Sequence, residues 1–383
     1  MSATSKARNQ KDEQFRTTIM HQKKTAVLGS TGIVGQRLQQ RLAIHPWFEL
    51  VSVVGSKENS GKMLSELPWR LDEKMPDIGE IAVIDSADVN LISQLKSLNV
   101  EYIFSALPST IAAKLEVKLA TAGFHVFSNS SFNRCKDGIP LIIEDLNPHH
   151  LLHYKSQNWP GSLACSTNCT VIPIALPLKA LWDMVGFTHV EISTEQALSG
   201  GGWRLLNDQS ALSGNFDPEI PDEARKIDQE LRYILGRVHP SEIVPANFTT
   251  EVRCKRVSER DGHLVQVKVH LSRDVEIDEA EEWIRGLSDR PQHLNLPSAP
   301  VKPIELIQGL PIRESHLWMG CENIADRENN LKSGMAITVG KLELLAPNIL
   351  SFHALSHNTV RGAAGGCILL AELAIAENVI DNQ

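Results

Sequence analysis

The chain has 383 residues, 42% hydrophobic and 22% charged, the composition of an ordinary folded protein with material for two cores of roughly 100–200 residues each. A formal net charge of -8 and a pI near 6.0 give it no global attraction for nucleic acid or an anionic membrane, so an anionic substrate must be met by a few local cations. No apolar run approaches the roughly 18–20 residues that span a bilayer. The six scattered cysteines, without paired C-x-x-C spacing, suggest neither a disulfide framework nor a metal site, and the cytoplasm is the expected location.

Residues 1–22 are polar and mixed in charge and read as a tail, with Met20 as an internal start. Residues 24–28 read as a buried strand, followed by Gly29-Ser30-Thr31-Gly32-Ile33-Val34-Gly35, a helix over 36–44 that ends before Pro46, and a strand over 48–54. This is one βαβ unit. Strands at 81–84, 102–106 and 125–128 alternate with helices at 89–98 and 111–121, which predicts a Rossmann-like, doubly wound parallel sheet. After about residue 165 the pattern changes. β-rich runs at 190–194, 249–253, 264–271 and 335–344 are widely spaced, with helices at 223–235 and 277–285 and loops at 210–221 and 289–303. The expectation is an α+β second domain on a mostly antiparallel sheet. The division expected is 23–165 for the dinucleotide domain and 166–354 for the catalytic and dimerisation domain. The apolar helix at 362–377 lies within a segment, 355–383, that returns to complete the first domain.

The glycine spacing Gly29-x-x-Gly32-x-x-Gly35 varies the usual G-x-G-x-x-G. Its place between strand and helix is what pyrophosphate binding needs: close backbone approach, free N–H groups and the positive end of a helix dipole. The second strand runs into Ser56-Lys57-Glu58-Asn59-Ser60-Gly61-Lys62 instead of ending in the acidic residue that binds a ribose 2′-hydroxyl. Hydroxyls and lysines suit a 2′-phosphate, hence NADP(H). Further on, Ser166-Thr167-Asn168-Cys169-Thr170 precedes the apolar run 171–181, which puts Cys169 at a helix start. There the dipole favours a thiolate and N–H groups can hold an oxyanion. A proton partner is required, but the residues alone do not single out His263 among fourteen histidines.

These pieces occur in order with Phe104-Ser105-Ala106-Leu107-Pro108-Ser109, Phe127-Ser128-Asn129, Gln196-Ala197-Leu198-Ser199-Gly200, Arg256 to His263, Gly334 to Gly340 and Asn358-Thr359-Val360-Arg361-Gly362. Taken together they resemble the aspartate-β-semialdehyde dehydrogenase family, its archaeal and fungal branch in particular, over nearly the whole chain after residue 22. The resemblance implies Cys169 as the nucleophile that carries a thioester, His263 as general acid/base and Gln196 as the residue orienting the substrate. It further implies Arg256 on the substrate carboxylate, Asn168 and Arg134 on phosphate, and Glu223 with Lys226 on substrate and phosphate. Cofactor contacts would come from residues 29–35, from Ser56, Lys57 and Ser60, from Ser105 and Ala106, and from Asn358 at the nicotinamide amide. A homodimer or homotetramer acting on a small molecule and phosphate is implied as well. The chain departs from the family at Gly202-Trp203-Arg204-Leu205, Val257-Ser258-Glu259-Arg260 and Leu264-Val265. An acyl-CoA reductase on the same scaffold and a catalytically silent NADP-binding homologue remain alternative readings.

Overall fold

The computed structural model describes residues 22–239 and 242–380. The tail reading for 1–21, with the start at Met20, and the last three residues lie outside the described residues. Six strands alternate with helices in the first part: β1 (Lys23–Leu28), α1 (Ile33–Leu42), β2 (Phe48–Gly55), β3 (Val83–Asp85), α2 (Leu91–Ser97), β4 (Tyr102–Ser105), α3 (Ser109–Thr121), β5 (His125–Ser128) and β6 (Leu141–Ile142). With β7 (Ser162–Ser166) they form a seven-stranded sheet ordered β3-β2-β1-β4-β5-β7-β6, parallel at every pairing. The direction of winding reverses between β1 and β4. This is the switch point at whose carboxyl ends open α/β sheets bind ligands, and both Gly29 and Ala106 stand there.

α4 (Val171–Met184) leads from β7 into the second sheet, built from β8 (Phe187–Gln196), β11 (Thr249–Arg256), β12 (His263–Leu271), β13 (Ile304–Leu306), β14 (Ile337–Ala346) and β15 (Ile349–Ser356). A small ladder of β9 (Arg237–Val238) and β10 (Ile243–Val244) stands apart. Two helices, α5 (Glu223–Ile234) and α6 (Ile277–Arg285), complete this part. The order is β11-β8-β12-β15-β14-β13. Both edge strands pair in parallel and the three inner pairings are antiparallel, so the sheet is mixed. In β12 the odd positions Val265, Val267 and Val269 are fully buried, while the even positions face outward, the period-2 signature of a half-covered sheet.

The sequence reading misses β15, because Ile349-Leu350-Ser351-Phe352-His353-Ala354 has no clean alternation, and it misses β7, whose Ser162, Cys165 and Ser166 look like loop residues yet are buried. The two stretches expected as loops contain the short helical turns Gln209–Leu212 and Arg290–His293.

α7 (Gly365–Ala376) follows a π-helical turn, Val360–Ala364. Ile368, Leu369, Leu370 and Leu373 are fully buried in one cluster with Val27, Leu38, Phe104 and Phe127 of the parallel sheet and its first helix. Each such side chain contributes roughly 1.5–3 kcal/mol relative to exposure. The one acid on this helix, Glu372, is buried against His45 Nε2 at 2.9 Å and the Ser298 N–H at 3.0 Å. A helix apolar on all sides is stable only when covered on all sides, which is why the chain's end returns to the first sheet.

Candidate active site

The nucleotide turn is built by steric necessity. Gly29 has φ +76°, and a Cβ there would lie 2.5 Å from the Ala106 carbonyl; one on Gly35 would lie 2.2 Å from the Gly29 carbonyl. Only glycine permits the first turn of α1 to sit this close to β1 and β4. The ten-residue α1 opens at Ile33 with no side-chain cap, and the buried Ser30 hydroxyl has no partner among the described residues. Uncapped N–H groups and an unpaired hydroxyl fit a pyrophosphate, with Thr31, Gly32, Ile33 and Val34 around it. Ser105 is different: its hydroxyl donates to the buried Glu116 at 2.7 Å, as do Ser128 Oγ at 2.6 Å and Asn133 Nδ2 at 2.7 Å. Ser105 therefore shapes this region from within, and Glu116 ties together the chain ends after β4 and β5. Glu116 is a functional residue that the sequence reading does not single out. At the far end of β2, Ser56, Lys57 and Ser60 are exposed around a 3₁₀ turn, Lys57–Asn59. Glu58 is held below the usual carboxylate range by the Ser56 hydroxyl and its own backbone N–H, with Lys57 and Lys62 adding to the effect.

The reactive cluster forms where β7, β8 and β12 converge. Cys169 Sγ lies 3.2 Å from His263 Nε2, the first residue of β12. The Ala197 N–H, just past β8, donates to His263 Nδ1 at 3.1 Å. That bond assigns the neutral ring's hydrogen to Nε2, facing the sulfur. Burial first, then Arg256 and Arg313, push the imidazole down to about 3. Burial and the Glu223 charge push the Cys169 thiol up to about 11, against the opposing effects of Arg134, Thr170 and Arg256. Near neutral pH the resting pair is thus thiol and imidazole, with two cations close enough to favour the thiolate.

α4 begins at Val171, after Thr170 as its cap, so Cys169 precedes the cap. Two of the amides expected to serve an oxyanion are engaged inside the protein. The Asn168 N–H donates to Glu230 at 2.6 Å and the Thr170 N–H to Asn168 Oδ1 at 2.9 Å. Among the described residues the Cys169 N–H is the amide of this turn left without an acceptor. Asn168 Nδ2 donates to Glu223 at 2.8 Å, and Gln196 Nε2 reaches the same oxygen at 3.1 Å. Glu223 and Glu230 stand two helical turns apart on α5, on the side that carries the buried Ile227 and Leu231, and grip Asn168 from both ends. Glu230 also pairs with Arg134 at 3.0 Å. Sequence reading missed Glu230, although its seven-residue spacing from Glu223 was visible. Lys226 is not drawn in: its nearest carboxylate is Asp222, at 4.0 Å.

Arg256, at the end of β11, donates to the Ala197 carbonyl at 2.9 Å. A Cβ on Gly200 would come within 3.0 Å of both Arg256 Nη1 and His263 Cε1; this glycine lets the backbone pack directly against the guanidinium and the buried imidazole. Asn358 is bonded at both ends, accepting from the Gly262 N–H at 2.8 Å and donating to Ser199 Oγ at 2.7 Å, which clasps the turn before His263 to the turn after Gln196. The π-helical turn presses against the nucleophile, since a Cβ on Gly362 would sit 2.7 Å from Cys169 Cβ. Trp203 and Arg260, from two of the three departing segments, make a contact with residues 70 and 72 of the first part of the molecule. The Arg70 guanidinium stacks 3.8 Å over the Trp203 ring, and Arg260 pairs with Asp72 at 2.7 Å and with the Arg70 carbonyl at 3.0 Å.

A parallel nucleotide-binding sheet joined to a mixed sheet that presents a cysteine to a histidine defines a class of dehydrogenases that work through a covalent thioester. The pattern described as "Semialdehyde dehydrogenase, NAD binding domain" matches residues 24–154, and "Semialdehyde dehydrogenase, dimerisation domain" matches 178–361. The chain is 37% identical over 360 residues to an aspartate-semialdehyde dehydrogenase of Archaeoglobus fulgidus, covering 92% of this chain and 98% of that one. It is 30% identical to a malonyl CoA reductase (NADP) of Metallosphaera sedula, covering 94% and 99%. The crystal structure of aspartate semialdehyde dehydrogenase with NADP from Candida albicans superposes with a TM-score of 0.79 at 27% identity, covering 94% of this chain and all of that one. The chain belongs to the semialdehyde dehydrogenase family and is an oxidoreductase. No described helix is long and apolar enough to cross a membrane.

Proposed function

We propose that this protein is an NADP-dependent aspartate-semialdehyde dehydrogenase, which reduces L-4-aspartyl phosphate to aspartate semialdehyde and releases phosphate through a thioester on Cys169. The observation that carries the proposal is the 3.2 Å approach of Cys169 Sγ to His263 Nε2, with a buried carboxylate, Glu223, and a guanidinium, Arg256, acting on the same sulfur. An α-amino acid presents one ammonium and one carboxylate, and this pair answers both. Arg256 takes the carboxylate through its planar fork, Glu223 meets the ammonium, and Gln196 holds Glu223 in place.

The Cys169 thiol first gives up its proton to solvent; the thiolate then attacks the acyl carbon, the carbon–oxygen bond to phosphate breaks, phosphate leaves, and a thioester remains. Asn168 and the Arg134 cation stand on the phosphate side, with Lys226 at its outer rim. NADPH, when bound, supplies the hydride that reduces the thioester. Collapse then breaks the carbon–sulfur bond and returns the thiolate. Throughout, His263 offers Nε2–H to whichever atom carries negative charge, first sulfur and then the former acyl oxygen, beside the Cys169 N–H. Accepting a proton at Nε2 would require hydrogen on Nδ1, against the Ala197 N–H, so the ring is biased to the donor side of acid/base work. Asn358 exchanges its Ser199 bond for the nicotinamide amide, and Ser56, Lys57 and Ser60 receive the 2′-phosphate. We assign 23–165 with 355–383 to the dinucleotide domain and 166–354 to catalysis and to assembly of a cytoplasmic homodimer or homotetramer.

A second reading, reduction of malonyl-CoA, is favoured by the Metallosphaera relative and by the altered Trp203 and Arg260. The deciding assay measures NADP reduction with aspartate semialdehyde, with and without phosphate, beside NADPH oxidation with malonyl-CoA. Phosphate-dependent turnover of the semialdehyde is expected. Inactivity there with turnover of malonyl-CoA would transfer the assignment to the second reading.

A further inference from the structure

The outer face of the mixed sheet, turned away from the reactive cluster, carries a group with no part in the chemistry above. His189 and Glu191 are alternate residues on β8, and His270 is the direct partner of His189 on β12. The two rings lie 5.2 Å apart. One nitrogen from each ring and a Glu191 carboxylate oxygen lie within 4.8 Å of one another. β12 carries His263 at its start and His270 seven residues on, so the group stands roughly 23 Å from the nucleophile's partner at about 3.3 Å per residue.

Hydrogen bonding prepares the ligand atoms. The Thr249 hydroxyl donates to the Thr188 carbonyl at 3.4 Å, so its oxygen accepts from His189 Nδ1 at 2.7 Å. This fixes the hydrogen of His189 on Nδ1 and leaves Nε2 with its lone pair bare, the arrangement by which a second-sphere acceptor orients a metal-binding imidazole. His270 Nε2 already points at Glu191, 3.2 Å from Oε1, in the position an ion would take between them. Ligands 2.0–2.2 Å from a tetrahedral ion stand roughly 3.3–3.5 Å apart. The three side chains therefore close on an ion by rotations of about an ångström, without moving the strands. Two imidazoles and one carboxylate, with a fourth position open to water, suit Zn²⁺ or another imidazole-seeking divalent ion and not Mg²⁺ or Ca²⁺.

One feature opposes binding. Lys268 Nζ lies 2.6 Å from Glu191 Oε1, occupying a carboxylate oxygen and adding a positive charge. Its side chain is 35% exposed in the single chain, and it must be displaced for an ion to bind.

We propose that His189, Glu191 and His270 form a divalent transition-metal site on the outer sheet face, oriented by Thr249 and restrained by Lys268. The test uses the full chain carrying Cys169→Ser, which removes the competing thiolate, with Zn²⁺ alone measured by equilibrium dialysis and chelator competition. One Zn²⁺ per chain is expected, lost in His189→Ala and in His270→Ala. Thr249→Val should weaken binding by about 10–100-fold. Lys268→Ala should tighten it, because a competing positive charge is removed from Glu191. Unchanged stoichiometry in His270→Ala, or weaker binding in Lys268→Ala, would overturn the proposal. With Cys169 restored, His270→Ala should keep its dehydrogenase activity and should still lose the bound ion.

Discussion

The two halves of the cleft are prepared to different degrees. Around Cys169 the polar groups hold one another: Glu230 accepts from the Asn168 N–H, Glu223 accepts from two carboxamides, and the Ala197 N–H donates to His263 Nδ1. Around the nucleotide turn the glycines let the backbone pack closely, Ser30 Oγ is left unpaired and Lys57 is exposed. The catalytic half is tied by internal hydrogen bonds before any ligand arrives, as electrostatic preorganisation requires, whereas the glycine turn and the end of β2 in the cofactor half leave donors open for a ligand to complete. Substitutions in the first half should therefore act on turnover, and those in the second on cofactor affinity.

The largest effect belongs to the nucleophile. Cys169→Ser should lower kcat by at least about 10³-fold while NADP binding, followed by fluorescence titration, persists. Cys165→Ser, at a fully buried position on β7 with no step in the proposed chemistry, should retain substantial turnover. Loss of cofactor binding in Cys169→Ser would break the separation of the two halves. Next in size, Arg256→Lys should cost kcat/KM about 10–100-fold, because a point charge does not replace a bidentate fork; activity within twofold of the unsubstituted enzyme would remove Arg256 from carboxylate recognition.

Glu223→Gln sharpens the comparison within the catalytic half. Losing a charged hydrogen-bond partner should weaken an aspartyl substrate by ~1–3 kcal/mol and leave a malonyl thioester unaffected or improved. Steady-state kinetics with both substrates separates the two readings. The pH dependence of the resting pair can be tested without substrate. A thiol pushed up to about 11 beside an imidazole pushed down to about 3 has a thiolate fraction that rises tenfold per pH unit well below its pKa. Alkylation of Cys169 by iodoacetamide should accelerate steadily from pH 6 to 9, and a plateau below pH 7 would instead indicate a thiolate–imidazolium pair. The smallest effect is expected in the cofactor half. Lys57→Glu should narrow the preference for NADP over NAD by about tenfold, ~1.4 kcal/mol, with kcat for the saturated enzyme nearly unchanged.

The same division explains what was legible in the sequence. The glycine turn, the βαβ rhythm and α6 at Ile277–Arg285 follow from local rules, and each appears where those rules place it. Cys169 carried a local signal in the helix that follows it. His263 carried none, since it meets Cys169 across a sequence separation of 94 and through strand pairing that no local pattern records; only the likeness to a known family singled it out. Glu116 and Glu230 were invisible for a related reason: buried carboxylates on amphipathic helices look like surface acids until the groups that donate to them are in place. Asn358 was read as a cofactor contact, and its clasp between Gly262 and Ser199 could not be seen without the two turns it joins.

The central claim is that the acyl group is carried on Cys169. Enzyme mixed with aspartate semialdehyde and NADP in the absence of phosphate should oxidise one equivalent and stall, because the thioester lacks its acceptor. Mass spectrometry of the acid-quenched, digested protein should then place an aspartyl adduct on the peptide containing Cys169, and adding phosphate before the quench should remove it. An adduct on Cys165, or NADP reduction in the burst with no adduct on any cysteine, would contradict the account.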